Sequence, residues 1–320
     1  MTPPVLVITR LRDATADVVV EELNRRAVPV VRLDPGDFPA EVALGAHLDE
    51  TGLVGSVRTA TREVDLAAVR AVYWRRPRAY AAPSAAMAGQ DARWCVEQAR
   101  YGLGGVLAAL PGAHYVNHPW RNRDAEYKPA QLATAARCGL RLPPTLVTND
   151  PEHARTFAEA HDSVIYKPLF HTDYVSVDDR MLTVWVEEAA PTDLDEGVGH
   201  TAHLFQRRVP AVTDLRLTAV GQRLFTVRIE GAPGLDWRRH YESLRYTLID
   251  TPPDLAKGVR AYLDAFGLVF GAFDFGVDAD GRAWLYECNP NGQWAWFPPA
   301  ITGQIAEALA DELQYAGDPP

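Results

Sequence analysis

The chain has 320 residues, a formal net charge of −10 and 47% hydrophobic residues, which is enough for one large domain or two to three smaller ones. The acidic balance argues against a broad nucleic-acid surface, which needs clustered Lys and Arg, and three scattered cysteines argue against zinc and fit a reducing cytoplasm. No apolar run reaches the roughly 20 residues of a membrane helix, and the N-terminal run is too short for a signal peptide, so we expect a cytoplasmic protein without nucleic-acid or membrane partners.

The first 119 residues alternate between apolar β-branched runs and segments of helical spacing, which predicts a parallel α/β sheet. The predicted strands are Val5–Thr9, Val28–Leu33, Ala71–Trp74 and Tyr115–Asn117, and the predicted helices are Ala14–Arg26, Leu66–Val69 and Met87–Leu110. We assign residues 1–119 to this N-terminal domain.

Residues 120–202 are assigned to a small central domain. Its predicted elements are the helices Asp124–Cys138 and Pro151–Ala160 and the extended segments Thr145–Thr148, Val164–Lys167 and Leu182–Val186.

Residues 203–320 alternate like an antiparallel sheet, with a two-residue turn at Gly221-Gln222 and a second turn at Asp278–Gly281. The predicted strands are His203–Val209, Asp214–Val220, Arg223–Glu230, Gly271–Val277 and Ala283–Asn289, and the predicted helices are Pro252–Phe266 and Ile301–Tyr315. The fold class expected from the whole chain is α/β, in the mixed α+β sense.

Three oxygen-bearing side chains near the C-terminus predict a metal site. Glu287 and Asn289 are two residues apart on one strand, so they share a face, and Asp274 on the preceding strand can reach the same place. Two carboxylates and an amide oxygen suit Mg²⁺ that bridges nucleotide phosphates. The alternative is a solvated hairpin that carries these residues by chance.

Two lysines and two arginines are candidates for binding anions. Lys128 lies in a predicted helix and Lys167 ends a predicted strand. A lone lysine is usually a solvated surface residue, so these two gain significance from their order in the chain with the predicted metal ligands. Arg216 and Arg228 fall on neighbouring strands of an otherwise apolar sheet, where guanidinium groups need anionic partners. Those partners are either a ligand or the nearby carboxylates of Asp214 and Glu230.

The motifs VYWRRP, VIYKPL, FDFGVDADG and YECNPNGQW resemble those of the ATP-grasp ligases. Within that superfamily the chain resembles the graspetide (microviridin-type) synthetases, and more distantly the glutamate ligases that modify ribosomal proteins. The resemblance implies an ATP-grasp fold with an N-terminal parallel α/β domain, a small central domain and a C-terminal antiparallel domain.

The resemblance also implies roles for individual residues. Phosphate contacts are implied for Lys128 and Lys167, an adenine-binding hinge for Gln206, Arg207, Arg208 and Val209, and Mg²⁺ ligation for Asp274, Glu287 and Asn289. Arg228 matches an arginine near the transferred phosphate, and Arg75, Asp214, Arg216 and Arg238 match groups that hold peptide carboxylates or the acyl phosphate.

Two features depart from the family pattern. Arg207 stands where an acidic residue usually meets the ribose, so the ribose contact is open. The segment after Lys167 has no glycine until Gly197, so it lacks the glycine-rich loop that covers the phosphates in many ATP-grasp enzymes. We expect His171, Thr172 and Ser176 to contact the phosphates instead.

The function implied by the resemblance is ATP- and Mg²⁺-dependent formation of ester or amide cross-links within a ribosomal precursor peptide. The peptide would have a leader segment and a core segment. The oligomeric state is left open, and a homodimer is one of the alternatives. One alternative is a ligase that adds a free amino acid to a carboxylate, and another is a non-catalytic peptide-binding module. The aromatic residues Trp294, Trp296 and Phe297 either pack the last helix or cap the peptide site, and we favour packing.

Overall fold

The N-terminal part contains a parallel sheet and a separate antiparallel sheet. The computed structural model describes residues 2–84, 86–87, 89–170, 174–175, 181–182, 184–231, 234–235, 237 and 241–314. The first elements are β1 (Val5–Ile8), α1 (Ala14–Arg25), β2 (Val30–Leu33), β3 (Ala43–Asp49), β4 (Gly52–Arg58), β5 (Glu63–Asp65), β6 (Ala71–Trp74), α2 (Gly89–Ala108) and β7 (His114–Val116). The parallel strands have the order β2-β1-β6-β7, as the strand–helix rhythm predicted.

The antiparallel sheet β3-β4-β5 was not predicted. Its strands contain Gly45 and Gly55, which weaken the strand signal of the sequence. Gly55 is required there, because its φ is +139° and an added Cβ would lie 2.1 Å from the carbonyl oxygen of Gly45.

The central part continues with α3 (Pro119–Ala125), α4 (Lys128–Arg137), β8 (Thr145–Thr148), α5 (Pro151–Glu159), β9 (Val164–Lys167), β10 (Tyr174–Val175), β11 (Met181–Leu182), β12 (Glu187–Glu188) and β13 (His203–Arg207). The single helix predicted over Asp124–Cys138 is therefore two helices, separated where Tyr127 adopts an extended conformation ahead of the proline in the first turn of α4. The strand predicted at Leu182–Val186 is also wrong, since residues 184–186 belong to no strand.

The central sheet is antiparallel with the order β12-β9-β13-β8. Because β13 pairs with both β8 and β9, the predicted boundary between residues 202 and 203 cuts through this sheet. The structure moves that boundary to the segment between β13 and the next strand, which begins at Ala211.

The C-terminal part comprises β14 (Ala211–Val220), β15 (Arg223–Glu230), β16 (Arg245–Ile249), α6 (Pro253–Phe266), β17 (Phe270–Asp278), β18 (Ala283–Asn289) and α7 (Pro299–Gln314). Its strands are antiparallel in the order β16-β15-β14-β17-β18. One face, with Leu217 and Phe273, packs on α6. The other face, with Val227 and Phe270, packs on α7, which also contacts α1 and the parallel sheet.

The aromatic cluster near the C-terminus belongs to this second core. Trp294 and Phe297 are buried in it and Trp296 packs against it, so the packing interpretation is confirmed. In the described part of the chain, no helix has the length and apolar character needed to cross a bilayer.

Candidate active site

The three predicted metal ligands lie on one face of the C-terminal sheet. Asp274 on β17 is directly opposite Glu287 on β18, and Asn289 is two residues further along β18. The amide nitrogen of Asn289 is 3.2 Å from Glu287 Oε1 and 3.5 Å from Asp274 Oδ2. The alternation of side chains along β18 places Glu287 and Asn289 on one face, and a β-bulge next to Asp274 brings that residue to the same face, so the three groups lie together as predicted.

Each carboxylate of this set has a cationic neighbour. Both oxygens of Asp274 are 2.7 Å from Arg216 Nη1, and both side chains are buried. Glu287 Oε2 is 3.0 Å from Lys128 Nζ, at the first residue of α4. Lys128 and Arg216 come from distant parts of the sequence, so this charge balance is a product of the tertiary fold.

This donor set fits a hard divalent cation bound together with an anion. No cluster of three or more His, Cys, Asp or Glu side chains occurs in the described part of the chain, so the protein offers two carboxylates and an amide rather than a full cage. Mg²⁺ binds in this way, through one or two carboxylates, with phosphate oxygens and water completing its shell.

The two predicted phosphate-binding lysines both meet β18. Lys167 Nζ donates to the carbonyl oxygen of Tyr286 at 3.2 Å and lies 5.5 Å from the centre of the Tyr286 ring. Lys128 Nζ also donates to the carbonyl oxygen of Pro168, the residue after Lys167, at 3.0 Å. The lysines therefore converge beside Glu287, although they are on different elements.

Tyr286 is a site residue that the sequence analysis missed. A β-bulge after Asp274 leaves Tyr286 as the extra residue of β18, and its hydroxyl occupies the space that a Cβ on Gly276 would fill. Burial, and then the charges of Asp214 and Asp274, raise the pKa of the Tyr286 phenol above its usual value. The phenol therefore stays neutral and lies within the field of both carboxylates.

The predicted hinge contains a buried acceptor without a donor. Gln206 Nε2 donates to the hydroxyl of Thr145 at 2.8 Å, and that hydroxyl donates to the carbonyl oxygen of Pro143 at 2.9 Å. Because the Thr145 proton is already used, the orientation of the Gln206 amide is fixed, and its Oε1 is the free end. Among the described residues, this buried oxygen has no hydrogen-bond partner. An exocyclic amine such as that of adenine would satisfy it.

The rest of the hinge is largely engaged with the protein. The N–H groups of Arg207 and Arg208 donate to the carbonyl oxygens of Pro144 and Ser163, so they are not free for adenine. The Arg207 guanidinium lies 5.1 Å from the ring centre of Trp284, and Arg208 pairs with Glu188 at 2.5 Å. The carbonyl of Val209 accepts from the Ala211 N–H.

Comparison with known proteins identifies similar chains. The profile of the MvdD pre-ATP-grasp domain matches residues 4–123. The macrocyclase MdnC of Microcystis aeruginosa MRC, solved with precursor peptide MdnA bound, is 26% identical over 97% of this chain and 98% of its own, with a TM-score of 0.85. The macrocyclase MdnB of the same organism is also 26% identical over 97% and 98%, with a TM-score of 0.79. The N-terminal part of the chain thus matches a pre-ATP-grasp family model, and the whole chain is similar in structure to ATP-grasp macrocyclases of the graspetide type, which supports an ATP-dependent ligase.

Two further comparisons complete this picture. A RiPP-associated ATP-grasp ligase of Chryseobacterium gregarium, solved with ADP and a leader and core peptide, has a TM-score of 0.86 over 97% of this chain and 96% of its own. At 22% identity this likeness shows the common fold. No protein of curated function matches the sequence.

Arg228 does not lie where the resemblance implied. In the β14–β15 pair Arg216 is opposite Val227, and Arg228 is opposite Leu215. The two arginines are therefore on neighbouring strands but point to opposite faces of the sheet. Arg228 Nε lies 3.7 Å from Glu230 Oε1, away from the metal ligands. The salt-bridge alternative is thus correct for Arg228, whereas Arg216 faces the site.

Arg75, predicted to hold a substrate carboxylate, is buried instead. It is 2% exposed and its Nε lies 2.9 Å from Asp13 Oδ2. Burial alone would raise the pKa of Asp13, but the Arg75 charge and hydrogen bonds from Thr9 and the Ala16 N–H hold it below its usual value. Nη1 and Nη2 of Arg75 donate to the carbonyl of Gly292 and the side chain of Gln293, so each nitrogen of this buried guanidinium already binds a protein oxygen.

The loop after Asn289 connects these groups, and its role was not predicted. The Gln293 carbonyl accepts from Arg216 Nη2 at 3.0 Å, while its side chain accepts from Arg75 at 2.9 Å. Gly292 permits this approach, because an added Cβ would lie 2.8 Å from Arg216 Nη2 and 2.4 Å from the Cβ of Ala272. The glycine in the motif ECNPNGQW is the sequence signal for this close contact.

The other predicted substrate residues have different outcomes. Asp214 is on β14, two residues before Arg216 and therefore on the same face as the metal ligands. Arg238, like His171, Thr172 and Ser176, lies outside the described residues.

Proposed function

We propose that this protein is a graspetide-type ligase, which activates an Asp or Glu side chain of a precursor peptide with ATP and joins it to a Ser or Thr hydroxyl or a Lys amine of the same peptide. The observation that carries the proposal is the convergence of Asp274, Glu287 and Asn289 with Lys128, Lys167 and Arg216 on one sheet face. It is supported by similarity over almost the whole chain to a macrocyclase solved with its precursor peptide.

The first step brings an anion to a polyanion. A carboxylate oxygen of the peptide bonds to the γ-phosphorus of ATP, the bond to the β-phosphate oxygen breaks, and ADP leaves. Lys128, Lys167 and Arg216 reduce the repulsion between these charges. Asp274, Glu287 and Asn289 would hold Mg²⁺, which bridges phosphate oxygens and neutralises charge at the transferred group.

The second step forms the cross-link. The hydroxyl or amine attacks the acyl carbon, inorganic phosphate leaves, and the nucleophile loses its proton. Each cross-link therefore removes one water from the peptide overall. Because acyl phosphates hydrolyse, the reaction needs orientation and exclusion of bulk water, which a site enclosed between the central and C-terminal sheets would provide.

Gln206 would recognise the nucleotide base. Its unsatisfied Oε1 is an acceptor in a buried position, and an adenine amino group is a donor of suitable size. Leader recognition, a homodimer and a cytoplasmic location remain predictions, and the three free cysteines support the last of these.

The test is incubation of the ligase with ATP, Mg²⁺ and the peptide encoded by the neighbouring open reading frame, followed by mass spectrometry. Loss of one water mass per bond, with release of one ADP, is the expected result. Gain of an amino-acid residue mass in the presence of free amino acids would identify the amino-acid ligase instead. Glu287→Gln is the matched inactive control. Absence of both mass changes and of ADP release would overturn the proposal.

A further inference from the structure

The adjacent residues Arg75 and Arg76 lie in different environments. Arg75 is buried against Asp13, whereas Arg76 is exposed and its Nε donates to the carbonyl oxygen of Asn291 at 3.1 Å. Asn291 is two residues beyond the metal-ligand candidate Asn289. Arg76 therefore reaches from the N-terminal domain to the loop beside the candidate active site.

Arg76 lies at a place where α/β sheets usually bind ligands. It lies two residues beyond the end of β6, and Arg10 lies two residues beyond the end of the neighbouring parallel strand β1. The backbone N–H of Arg10 donates to the carbonyl of Arg76 at 3.3 Å, which holds the two segments together. Ligands of parallel sheets bind beyond the carboxyl ends of the strands, and both arginines are at this edge.

The local charge balance leaves these two arginines in excess. Arg75 is paired with Asp13 and Arg216 with Asp274, but neither Arg10 nor Arg76 forms an ion pair within the described residues. Partial burial and then the charge of Arg75 lower the pKa of Arg76, while the charge of Asp13 opposes this and those of Arg10 and Arg216 add to it. Arg10 and Arg76 thus place two cationic residues at this edge of the parallel sheet in a protein of net charge −10.

Glu126 is a second acidic group, besides Asp13, that interacts electrostatically with Arg76. Burial raises the pKa of its carboxyl, and the Arg76 charge offsets part of that rise. The two side chains form no ion pair among the described residues, so the Arg76 guanidinium keeps donors for another anion.

We propose that Arg76, assisted by Arg10, binds the peptide carboxylate that is to be activated. This inference rests on the proposed function and names the residue that selects its acidic substrate. Lys128 and Lys167 already offer point charges to the nucleotide, whereas a guanidinium fork matches the geometry of a carboxylate. Arg76 is supplied by the N-terminal domain, so that domain would contribute directly to substrate choice.

The experiment compares Arg76→Gln, Arg76→Lys and Arg10→Gln with the matched surface control Arg58→Gln, whose residue is exposed on β4. Loss of a hydrogen bond to a charged group predicts a rise of roughly tenfold or more in peptide KM for Arg76→Gln. A smaller rise is expected for Arg76→Lys and Arg10→Gln, and none for Arg58→Gln. The affinity for ADP, measured by calorimetry, should stay unchanged in all four.

The readouts separate the possible outcomes. A peptide whose reacting acid is replaced by its amide should bind wild type and Arg76→Gln equally well in fluorescence anisotropy. Unchanged peptide KM and peptide affinity in Arg76→Gln would overturn the inference. A loss of ADP affinity as large as the loss of peptide affinity would assign Arg76 to nucleotide binding and would also overturn it. Absence of wild-type turnover would instead count against the proposed function, because the anisotropy comparison needs no catalysis.

Discussion

Substitution of the two carboxylates of the candidate metal site should give equal losses of activity but unequal losses of stability. Asp274→Asn and Glu287→Gln each remove one charge that positions the cation, and turnover should fall by about 10²- to 10³-fold, as for the loss of one preorganised charge-stabilising group. The difference between the variants lies in what each substitution leaves behind in the nucleotide-free protein.

Asp274→Asn leaves a buried cation without its partner. The side chains of Arg216 and Asp274 are 5% and 6% exposed, and breaking a buried pair costs about 3–5 kcal/mol. Lys128 and Glu287 are 18% and 15% exposed, and Lys128 keeps its bond to Pro168, so Glu287→Gln should cost about 1 kcal/mol.

These free energies convert to a measurable difference in melting temperature. With an unfolding entropy of about 2.1 cal/mol/K per residue over 320 residues, Asp274→Asn should lower the Tm by about 4–7 °C and Glu287→Gln by about 1–2 °C. Differential scanning calorimetry without nucleotide measures both, and ADP release measures turnover. Equal Tm values for the two variants would refute the burial argument, and near-normal turnover of Glu287→Gln at saturating Mg²⁺ would refute the metal assignment.

Three further predictions concern the nucleotide and the hairpin of the site. Lys128→Ala and Lys167→Ala should each weaken ADP binding by roughly tenfold in calorimetric titrations, since each removes a charged donor; unchanged affinity in both would make them structural lysines. Gln206→Leu should weaken the binding of adenine nucleotides more than the binding of guanine nucleotides. Thr145→Val should change only the orientation of the Gln206 amide. Identical nucleotide preference in wild type and Gln206→Leu would contradict the base contact. A hydrogen bond from Trp284, followed by bonds from Arg282, lowers the pKa of Asp278 to about 2, from an unperturbed 3.8. The stabilisation by the Asp278 carboxylate is therefore complete above the unfolded pKa and disappears as the pH falls towards 2. Asp278→Asn should unfold at lower urea concentration than wild type at pH 7 but not near pH 2, and a pH-independent difference would contradict this.

The common face of Glu287 and Asn289 could be predicted from the sequence because only local geometry was needed, whereas the approach of Asp274 depended on a β-bulge that was not predicted. Side chains alternate along a strand, so Glu287 and Asn289 had to share a face wherever β18 was placed. The short turn after Asp278 pairs Val277 with Ala283, and this register alone would place Tyr286 opposite Asp274. The β-bulge after Asp274 shifts the register by one residue and brings Glu287 opposite Asp274 instead. The side of the sheet on which Arg228 lies could have been predicted in the same way. The two-residue turn Gly221-Gln222 pairs Arg216 with Val227, so the next residue, Arg228, points to the opposite face from Arg216.

The tertiary structure decided which groups from distant segments meet. Whether Arg75 or Arg76 faces the cleft depends on where Asp13 and the loop after Asn289 lie, and local sequence carries no signal for either. Lys128 reaches Glu287 only because α4 packs against β18, across 159 positions of the chain. The sequence by itself thus determined the side chains that share a strand face, through the fixed alternation of the β-backbone. The ion pairs and the exposed arginine were set by long-range packing, whose geometry no local pattern encodes.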